Sequence, residues 1–211
     1  MTTAKKAPRF SRKSAEDRKQ DLIKAGLSCL AKGGITYFTV DNICRAANVS
    51  KGLVVHHFGS KEGLAAAVYA AAYNQMLAPV ISDEETGGNV ARLLDWLLDE
   101  LPANQENLRI WLALWGEIAS NPHLQVEHRK HYALYRESIA RTINAAARKR
   151  GIIADSYEIA ASLIAMVDGV WLQRCLDPAR LKHADAVAMC LRHVENALAA
   201  GSPAPAERGQ R

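Results

Sequence analysis

The sequence lacks the long hydrophobic runs that a membrane span needs. No stretch reaches the roughly eighteen consecutive apolar residues required to cross a bilayer. The basic N-terminus is followed by no apolar segment, which argues against a signal peptide. The four cysteines (Cys29, Cys44, Cys175 and Cys190) form no C-x-x-C pair. We interpret each as a small core residue in a reducing, cytoplasmic setting.

The short motifs of common enzyme classes are missing as well. There is no Gly-x-Gly-x-x-Gly after a strand, no P-loop, no Gly-x-Ser-x-Gly and no His-Glu-x-x-His. His128 and His131 are spaced to share one helix face, which fits either a metal pair or a solvated face, and no third ligand lies nearby in the sequence. We therefore predict a protein that is not an enzyme and needs no cofactor and no metal.

Positive charge is concentrated at one end of the chain. Residues 1–61 contain twelve Lys and Arg against four Asp and Glu, whereas the rest of the 211 residues contain fifteen against eighteen. This distribution is typical of a nucleic-acid-binding module joined to a second module, although a solubilising tail would give the same count. Residues 1–14 lack periodicity and are predicted to be a disordered basic arm, either solvated or in contact with phosphates.

Residues 38–61 predict two short helices joined by a tight turn. Thr39 is placed to cap the first helix, and Ser50 to cap the second, over residues 51–58. Asn48 between them tolerates the left-handed conformation of a sharp turn. This is the helix-turn-helix plan, in which the second helix enters the DNA major groove. The alternative is a core helical hairpin with a charged rim.

The second helix of this pair carries side chains suited to DNA. Lys51 can donate to guanine O6 and N7, and Val55 can contact a thymine methyl group. Gly52 lets the backbone approach closely. Lys61 opens the next helix, whose N-terminus suits a phosphate.

The order and spacing of these residues resemble the TetR family of bacterial one-component repressors over about residues 15–70. The matching run is Thr39, Ile43, Ala46-Ala47-Asn48-Val49-Ser50-Lys51-Gly52, His57-Phe58 and Ser60-Lys61-Glu62-Gly63-Leu64. The resemblance implies DNA-contact positions at Thr39, Ser50, Lys51, Gly52, His56, His57 and Lys61. Val55 departs from the family pattern, because many members have a phosphate-binding tyrosine there.

The remainder of the chain predicts more helices and no convincing strand. A helix over residues 16–32 ends at Gly33-Gly34, and a long helix starts at Ser60 and runs toward Ala78-Pro79. A polar loop follows, and then four or five further helices. The fold class is all-α, with about nine helices. The predicted domains are a helix-turn-helix domain over residues 15–61, a helical effector-binding and dimerisation domain over residues 62–200, and a disordered tail over residues 201–211.

The last two helices have wide apolar faces, around residues 159–170 and 187–198. Two such hairpins from two copies would form a four-helix bundle. The resulting homodimer would present two reading helices to a palindromic operator, about 34–36 Å apart or a multiple of that. Burial within one chain is the alternative.

Tryptophans and carboxylates cluster in two segments of the body. Trp111 and Trp115 lie four apart, with Glu117 close behind, and Asp168 precedes Trp171 by three residues. Indole faces with a carboxylate have the composition of a quaternary-ammonium site. A buried carboxylate needs a partner, which could be a ligand cation or one of three arginines (Arg109, Arg136 and Arg174).

The pattern Trp-Leu-Ala-x-Trp, a long charged helix and then Asp-Gly-x-Trp-Leu is similar to the choline-responsive repressors of glycine-betaine synthesis within that family. The resemblance implies a choline-like effector and carries over to Trp111, Trp115, Asp168 and Trp171. We therefore predict a ligand-responsive dimeric repressor that releases its DNA operator on binding a small effector. Two alternatives remain: the same type of repressor sensing a lipophilic drug or acyl compound, and a helical interaction protein whose basic arm binds a partner or a membrane surface.

Overall fold

The computed structural model describes residues 14–82, 88–99, 105–177 and 179–203. In these residues the chain forms nine helices and two strands of two residues each, which confirms the all-α fold class. The elements are α1 (Ala15–Tyr37), α2 (Val40–Ala47), α3 (Gly52–Phe58), α4 (Lys61–Ser82), α5 (Val90–Asp99), α6 (Gln105–Ile118), α7 (Pro122–Lys149), β1 (Ile152–Ile153), α8 (Ser156–Leu176), α9 (His183–Ala199) and β2 (Ser202–Pro203).

Helix α1 begins with a capping box and is interrupted near its end. The Ser14 hydroxyl accepts from the Asp17 backbone N–H, and the Asp17 carboxylate accepts from the Ser14 N–H, both at 3.0 Å. Gly33 and Gly34 leave the helical conformation, with Gly34 at φ 61°. The helix therefore breaks at the two glycines, as the sequence predicts, although one further helical stretch carries it on to Tyr37.

The predicted turn chemistry of the helix-turn-helix is confirmed at two of three positions. The Thr39 hydroxyl accepts from the Asn42 N–H at 3.2 Å, and Asn48 is left-handed at φ 54° and ψ 50°. The cap at Ser50 is wrong: the structure places the cap at Lys51, and no side chain caps α3. Ser50 contributes its backbone carbonyl instead, which accepts from the Leu53 N–H at 3.1 Å.

Helix α4 starts where the sequence predicts and extends further. The Ser60 hydroxyl accepts from the Gly63 N–H at 3.1 Å, which caps the helix. The helix then continues through Pro79 to Ser82 instead of ending near Ala78. A proline removes one backbone hydrogen bond of a helix, and here that loss does not end the helix within one turn. Residues 83–87 of the predicted loop lie outside the described residues.

Helices α1 and α4 join the N-terminal helices to the body. Helix α1 packs on α2, α4 and α6, while α4 also packs on α3 and α7. The two helices approach closely at Gly26, where an added Cβ would lie 2.6 Å from Cγ2 of Val68. Helix α1 is therefore in direct contact with both α4 and α6, so a displacement of either helix requires α1 to adjust.

Helix α8 lies in the middle of the body. It packs on α5, α6, α7 and α9 and buries Leu163, Ile164 and Val167. By length and composition alone it could cross a membrane, with 21 residues and a mean hydropathy of 1.4. A soluble core helix passes the same test, and α8 carries Asp168 in its centre.

The chain termini differ in part from the prediction. Ser202 and Pro203 were predicted to belong to a disordered tail, but they pair antiparallel with Ile153 and Ile152. These pairs satisfy backbone groups that sequence periodicity cannot locate, because the partners lie fifty residues apart. The predicted arm and the rest of the predicted tail, residues 1–13 and 204–211, lie outside the described residues.

Candidate functional site

The surface around α3 exposes most of the residues predicted to contact DNA. Val55 is 65% exposed, whereas its neighbour Val54 is 2% exposed and anchors α3 in the core. His57 is half-buried. The other predicted residues are all exposed: Thr39, Ser50, Lys51, Gly52, His56 and Lys61. The structure therefore brings the eight residues to one end of the molecule, on α2, α3 and the start of α4.

An ion pair joins the two helices of the helix-turn-helix. Nζ of Lys51 lies 2.5 Å from Oδ1 of Asp41, and the two side chains are 69% and 58% exposed. Such an exposed pair adds little stability. It does hold the Lys51 ammonium group beside α2, and Asp41 was not singled out by the sequence.

Three indoles meet inside the body. The ring centroids of Trp111, Trp115 and Trp171 lie 6.3 to 6.4 Å from one another, and Trp115 and Trp171 are stacked with an angle of 15° between their planes. Trp171 is fixed by a hydrogen bond from its Nε1 to the Leu97 carbonyl at 3.1 Å. The structure thus brings together the three tryptophans that the sequence predicted to share a site.

Helix α4 adds two tyrosines that the sequence analysis missed. Tyr73 stands edge-on to Trp111, with centroids 4.8 Å apart, and Tyr69 lies 6.2 Å from the same indole. Their spacing of four residues predicts that they share one face of α4, but the sequence does not show which residues that face contacts. The five rings are called the aromatic cluster below: Tyr69, Tyr73, Trp111, Trp115 and Trp171.

Helix α7 closes the aromatic cluster on another side. Nδ1 of His128 is hydrogen bonded to the Tyr69 hydroxyl at 2.7 Å, and the His131 ring stacks on Tyr73 at 5.3 Å. Burial lowers the pKa of both histidines, which favours the neutral imidazoles. Within the described residues, no group of three His, Cys, Asp or Glu side chains is placed to hold a metal.

Asp168 is the carboxylate of this region. Burial raises its pKa from 3.8 to about 6, and no cation contributes to the shift. After burial itself, the charge of Asp168 is the next cause that raises the pKa of Tyr132 and Tyr135, so its negative charge acts on both phenols. Among the described residues, its oxygens accept no hydrogen bond and form no ion pair.

The arginines considered as partners of Asp168 are engaged or distant. Nε of Arg136 donates to the Tyr157 carbonyl at 3.1 Å, and Nη1 of Arg174 donates to the Leu98 carbonyl at 2.6 Å. Arg109 is exposed on α6. None of the three contributes to the pKa of Asp168. The half-buried carboxylate of Asp168 therefore lacks a protein cation in the described part of the chain.

Glu117 has a different environment from Asp168. It lies near the end of α6, where its carboxylate accepts from Nδ2 of Asn121 at 3.4 Å across the turn into α7. Its predicted role in ligand binding stays a prediction.

A groove lies between α7 and the start of α8. Its volume is about 340 Å³, and it is lined by α7 and the start of α8, including His128, Tyr132, Arg136 and Tyr157. His128 and Tyr132 also belong to the surroundings of the aromatic cluster and of Asp168. The groove thus reaches the edge of the buried site.

Two family models match the chain. The model of bacterial regulatory proteins of the tetR family matches residues 22–68, which include the helix-turn-helix. The model of the BetI-type transcriptional repressor C-terminal domain matches residues 88–199, which include the three tryptophans and Asp168.

Curated relatives and solved structures agree with these matches. The HTH-type transcriptional regulator BetI 2 of Chromohalobacter salexigens is 29% identical, over 80% of this chain and 83% of that protein. BetI of Serratia proteamaculans is 26% identical, over 88% of this chain and 95% of that protein. The structure of a transcriptional regulator from Pseudomonas aeruginosa PAO1 superposes with a TM-score of 0.78 at 32% identity, covering 91% of this chain and 95% of that chain.

A more distant structure shares the fold. It is a transcriptional regulator from Saccharomonospora viridis, solved in complex with choline. The TM-score is 0.69 at 19% identity, and the match covers 85% of this chain and 96% of that chain.

Proposed function

Because the chain belongs to the TetR family of transcriptional regulators and has a BetI-type C-terminal domain, we propose that it is a homodimeric repressor that leaves its operator when it binds an organic ammonium cation. The family consists of regulators and not enzymes, in line with the sequence prediction. The observation that carries the effector proposal is the half-buried Asp168, which has no cationic partner among the described residues and whose charge acts on Tyr69 and Tyr73 of the aromatic cluster. The cytoplasm is the compartment in which such a regulator meets DNA.

The chemistry of the buried site favours a cation with apolar substituents. A carboxylate buried without a partner is costly, so a ligand that supplies the missing positive charge gains a large electrostatic benefit. The indoles offer π-faces that attract such a charge, and methyl groups fit between rings better than the strongly hydrated ammonium of a lysine would. Choline has both features, and it is the ligand in the solved S. viridis complex. A purely lipophilic effector would leave Asp168 unpaired.

We propose that the groove on α7 is the access route for this ligand. Tyr132 lines the groove, and the charge of Asp168 raises the pKa of its phenol. A side chain at that place can control passage between solvent and the aromatic cluster. Arg136 also lines the groove, where its Nε donates to the Tyr157 carbonyl and its guanidinium lies over the Tyr157 ring, 5.5 Å from the centroid.

The DNA-contact residues proposed are the eight around α3. Lys51 and Val55 read base edges, whereas Lys61, at the capped start of α4, contacts a phosphate. The other five position the module or contact the backbone: Thr39, Ser50, Gly52, His56 and His57. Asp41 competes with DNA for the Lys51 ammonium group, because the two are paired in the free protein.

Two helices transmit ligand binding to α3 in this proposal. Helix α4 carries Tyr73 in the aromatic cluster and begins directly after α3. Helix α6 carries Trp111 and packs on α1, where Gly34 lies near Ala113. A ligand inserted between Tyr73 and Trp111 displaces α4 and α6. This displacement changes the separation of the two α3 helices in the dimer.

The dimer is proposed to form through α8 and α9. Leu172 and Leu176 are 39% and 69% exposed on α8, on the side that no described helix covers. Val187 and Leu191 on α9 are only partly buried. Two copies of this hairpin would bury these side chains in a four-helix bundle, and the two-fold symmetry matches a palindromic operator.

The effector proposal is tested with a pair of ligands that differ only in charge. Choline and its neutral isostere 3,3-dimethylbutan-1-ol have the same shape, so isothermal titration calorimetry separates the charge from the fit. We expect choline to bind at least about tenfold more tightly. We also expect Asp168→Asn to remove this preference, whereas Asp185→Asn, which changes an exposed carboxylate on α9, keeps it.

Operator release is measured in the same samples. A gel shift with a DNA fragment from upstream of the protein's own gene should lose the complex as choline is added, and not as the isostere is added. Equal binding of the two ligands, or tighter binding of the isostere, would overturn the cationic effector and favour a lipophilic one. If the protein shows no preference for the fragment over random competitor DNA, the proposal that it is a repressor is wrong.

A further inference from the structure

One face of α7 is turned toward α4 and α8. His128, His131, Tyr132 and Tyr135 follow one another at spacings of three, one and three residues, so they share this face. Tyr135 is the most deeply placed, at 2% exposure. Its hydroxyl has no hydrogen-bond partner in the described part of the structure, and neither has the buried Nδ1 of His131.

An unpaired buried hydroxyl is unusual. Buried polar groups nearly always have a partner, and leaving one unpaired lowers the stability of the fold. Phenylalanine would fill the same space without that cost. Tyr69 on α4 is an example of a buried hydroxyl with a partner, because it is hydrogen bonded to His128. The hydroxyl of Tyr135 therefore has a role that packing alone does not explain.

The surroundings of this hydroxyl are those of the proposed effector site. Burial, then the charge of Asp168, and then Tyr73 and Tyr132 raise the pKa of Tyr135, so its hydroxyl stays protonated. It is a hydrogen-bond donor on α7, which packs on α4 and α8, and α8 carries the unpaired carboxylate of Asp168. Donor and carboxylate do not bond to each other in the structure, which leaves each of them available to a ligand.

We propose that Tyr135 is a specificity-determining residue, whose hydroxyl donates to an uncharged polar arm of the effector while Asp168 pairs with its ammonium group. This inference rests on the proposed function. It narrows the ligand class to a monocation that carries a hydroxyl or a similar neutral acceptor. A carboxylate arm at the same place is disfavoured, because the negative charge of Asp168 lies close and no described cation offsets it.

Three small probes separate these classes. Choline has the charge and a hydroxyl arm, tetramethylammonium has the charge alone, and trimethylglycine has a carboxylate arm. Quenching of tryptophan fluorescence reports binding, since three of the four tryptophans line the site. In the wild type we expect the order choline, then tetramethylammonium, then trimethylglycine, with about a tenfold difference between the first two.

The variant Tyr135→Phe removes the hydroxyl and nothing else. It should lower the affinity for choline to that for tetramethylammonium, and leave the affinity for tetramethylammonium unchanged. Its thermal midpoint should be no lower than that of the wild type, because an unpaired buried group is removed. The control Tyr37→Phe removes a tyrosine hydroxyl from α1, 41% exposed, and should change neither affinity.

The outcomes distinguish this inference from the proposed function. If choline and tetramethylammonium bind the wild type equally, or Tyr135→Phe weakens both to the same degree, Tyr135 does not select the arm and only this inference falls. If neither cation binds at all, the proposed effector falls with it. Should Tyr135→Phe fail to fold, the ranking of the three probes on the wild type still decides whether a hydroxyl arm is selected.

Discussion

Tyr73 of α4 stands edge-on to Trp111 of α6, with ring centroids 4.8 Å apart and an angle of 89° between the planes. These two rings connect the aromatic cluster to both helices that reach the N-terminal domain, since α4 follows α3 and α6 packs on α1. A ligand that alters this contact acts on the DNA-reading surface through either route.

Choline binding should depend on pH through Asp168. Choline has a permanent charge, so only the carboxylate titrates, with a pKa of about 6 in the free protein. The affinity should be constant above pH 7 and fall about tenfold between pH 7 and pH 5 as Asp168 becomes protonated. Calorimetry at several pH values measures this. His128 and His131 at the aromatic cluster also titrate, with pKa values lowered by burial. The Asp168→Asn variant is therefore the necessary control, and its choline affinity should be low and independent of pH.

The stability of the free protein should also depend on the ionisation of Asp168. Choline affinity should rise with pH, whereas the contribution of Asp168 to stability should fall with pH. The folded pKa of Asp168 is raised, so the native state binds more protons than the unfolded state between about pH 4 and pH 6, and stability falls as pH rises through that window. Burial lowers the pKa of His128 and His131, whose contribution therefore has the opposite sign. Asp168→Asn should raise the free energy of unfolding at pH 7.5 by about 1–2 kcal/mol in urea denaturation, after the cost of burying an amide. A difference between variant and wild type that does not shrink toward pH 4 would contradict the assignment.

Lys51 and Lys61 should have different effects on DNA binding. Lys51→Ala should cost about 1–3 kcal/mol on the operator and relax sequence preference, because it removes a contact to a base edge. Lys61→Ala should weaken all DNA similarly and reduce the slope of log affinity against log salt by about one. Fluorescence anisotropy on operator and random duplexes measures both effects. The control Lys149→Ala removes one positive charge at the exposed end of α7. It should change neither the sequence preference nor the salt dependence of DNA binding. A Lys51→Ala protein that keeps full sequence preference would exclude the proposed base contact.

Gly26→Ala should destabilise the fold. Its Cβ would lie 2.6 Å from Cγ2 of Val68 and 3.2 Å from the Phe38 ring, both in the core. The expected loss is about 1–3 kcal/mol from overpacking, despite the better helix propensity of alanine. Gly116→Ala on α6, where nothing lies within 4 Å of the added Cβ, should be neutral or stabilising. Urea denaturation at one fixed protein concentration measures the difference, and equal midpoints would contradict the close approach of α1 and α4.

Leu172→Glu should separate the proposed dimer. A charge on the uncovered side of α8 opposes burial in a four-helix bundle, so light scattering should show monomers and operator binding should fall at least about tenfold. Leu134→Glu changes a leucine on α7 that is 50% exposed and should leave the dimer intact. If Leu172→Glu stays dimeric, the interface lies elsewhere.

The helix-turn-helix was predictable because its signals are local. Thr39 caps α2 through a residue three positions away, and Asn48 tolerates the left-handed turn by its own backbone preference. The cap of α3 was missed because Ser50 supplies a carbonyl and not its hydroxyl, a choice that depends on how α3 packs through Val54. The end of α4 was missed because Pro79 is a helix breaker by propensity alone.

The helical fold and the family follow from the sequence, since periodicity, capping residues and residue order are encoded within short segments, and the resemblance to the family predicted that the tryptophans share a site with a carboxylate. Only the tertiary structure decided which carboxylate is left without a partner. Glu117 lies two residues from Trp115 in the sequence and Asp168 lies three residues from Trp171. In the structure Asn121 donates to Glu117, while Arg136 and Arg174 donate to backbone carbonyls and not to Asp168. Tyr69, Tyr73 and Tyr135 likewise gained their significance from packing, because the charge and hydrogen-bond state of a buried group depend on side chains that lie far away along the chain.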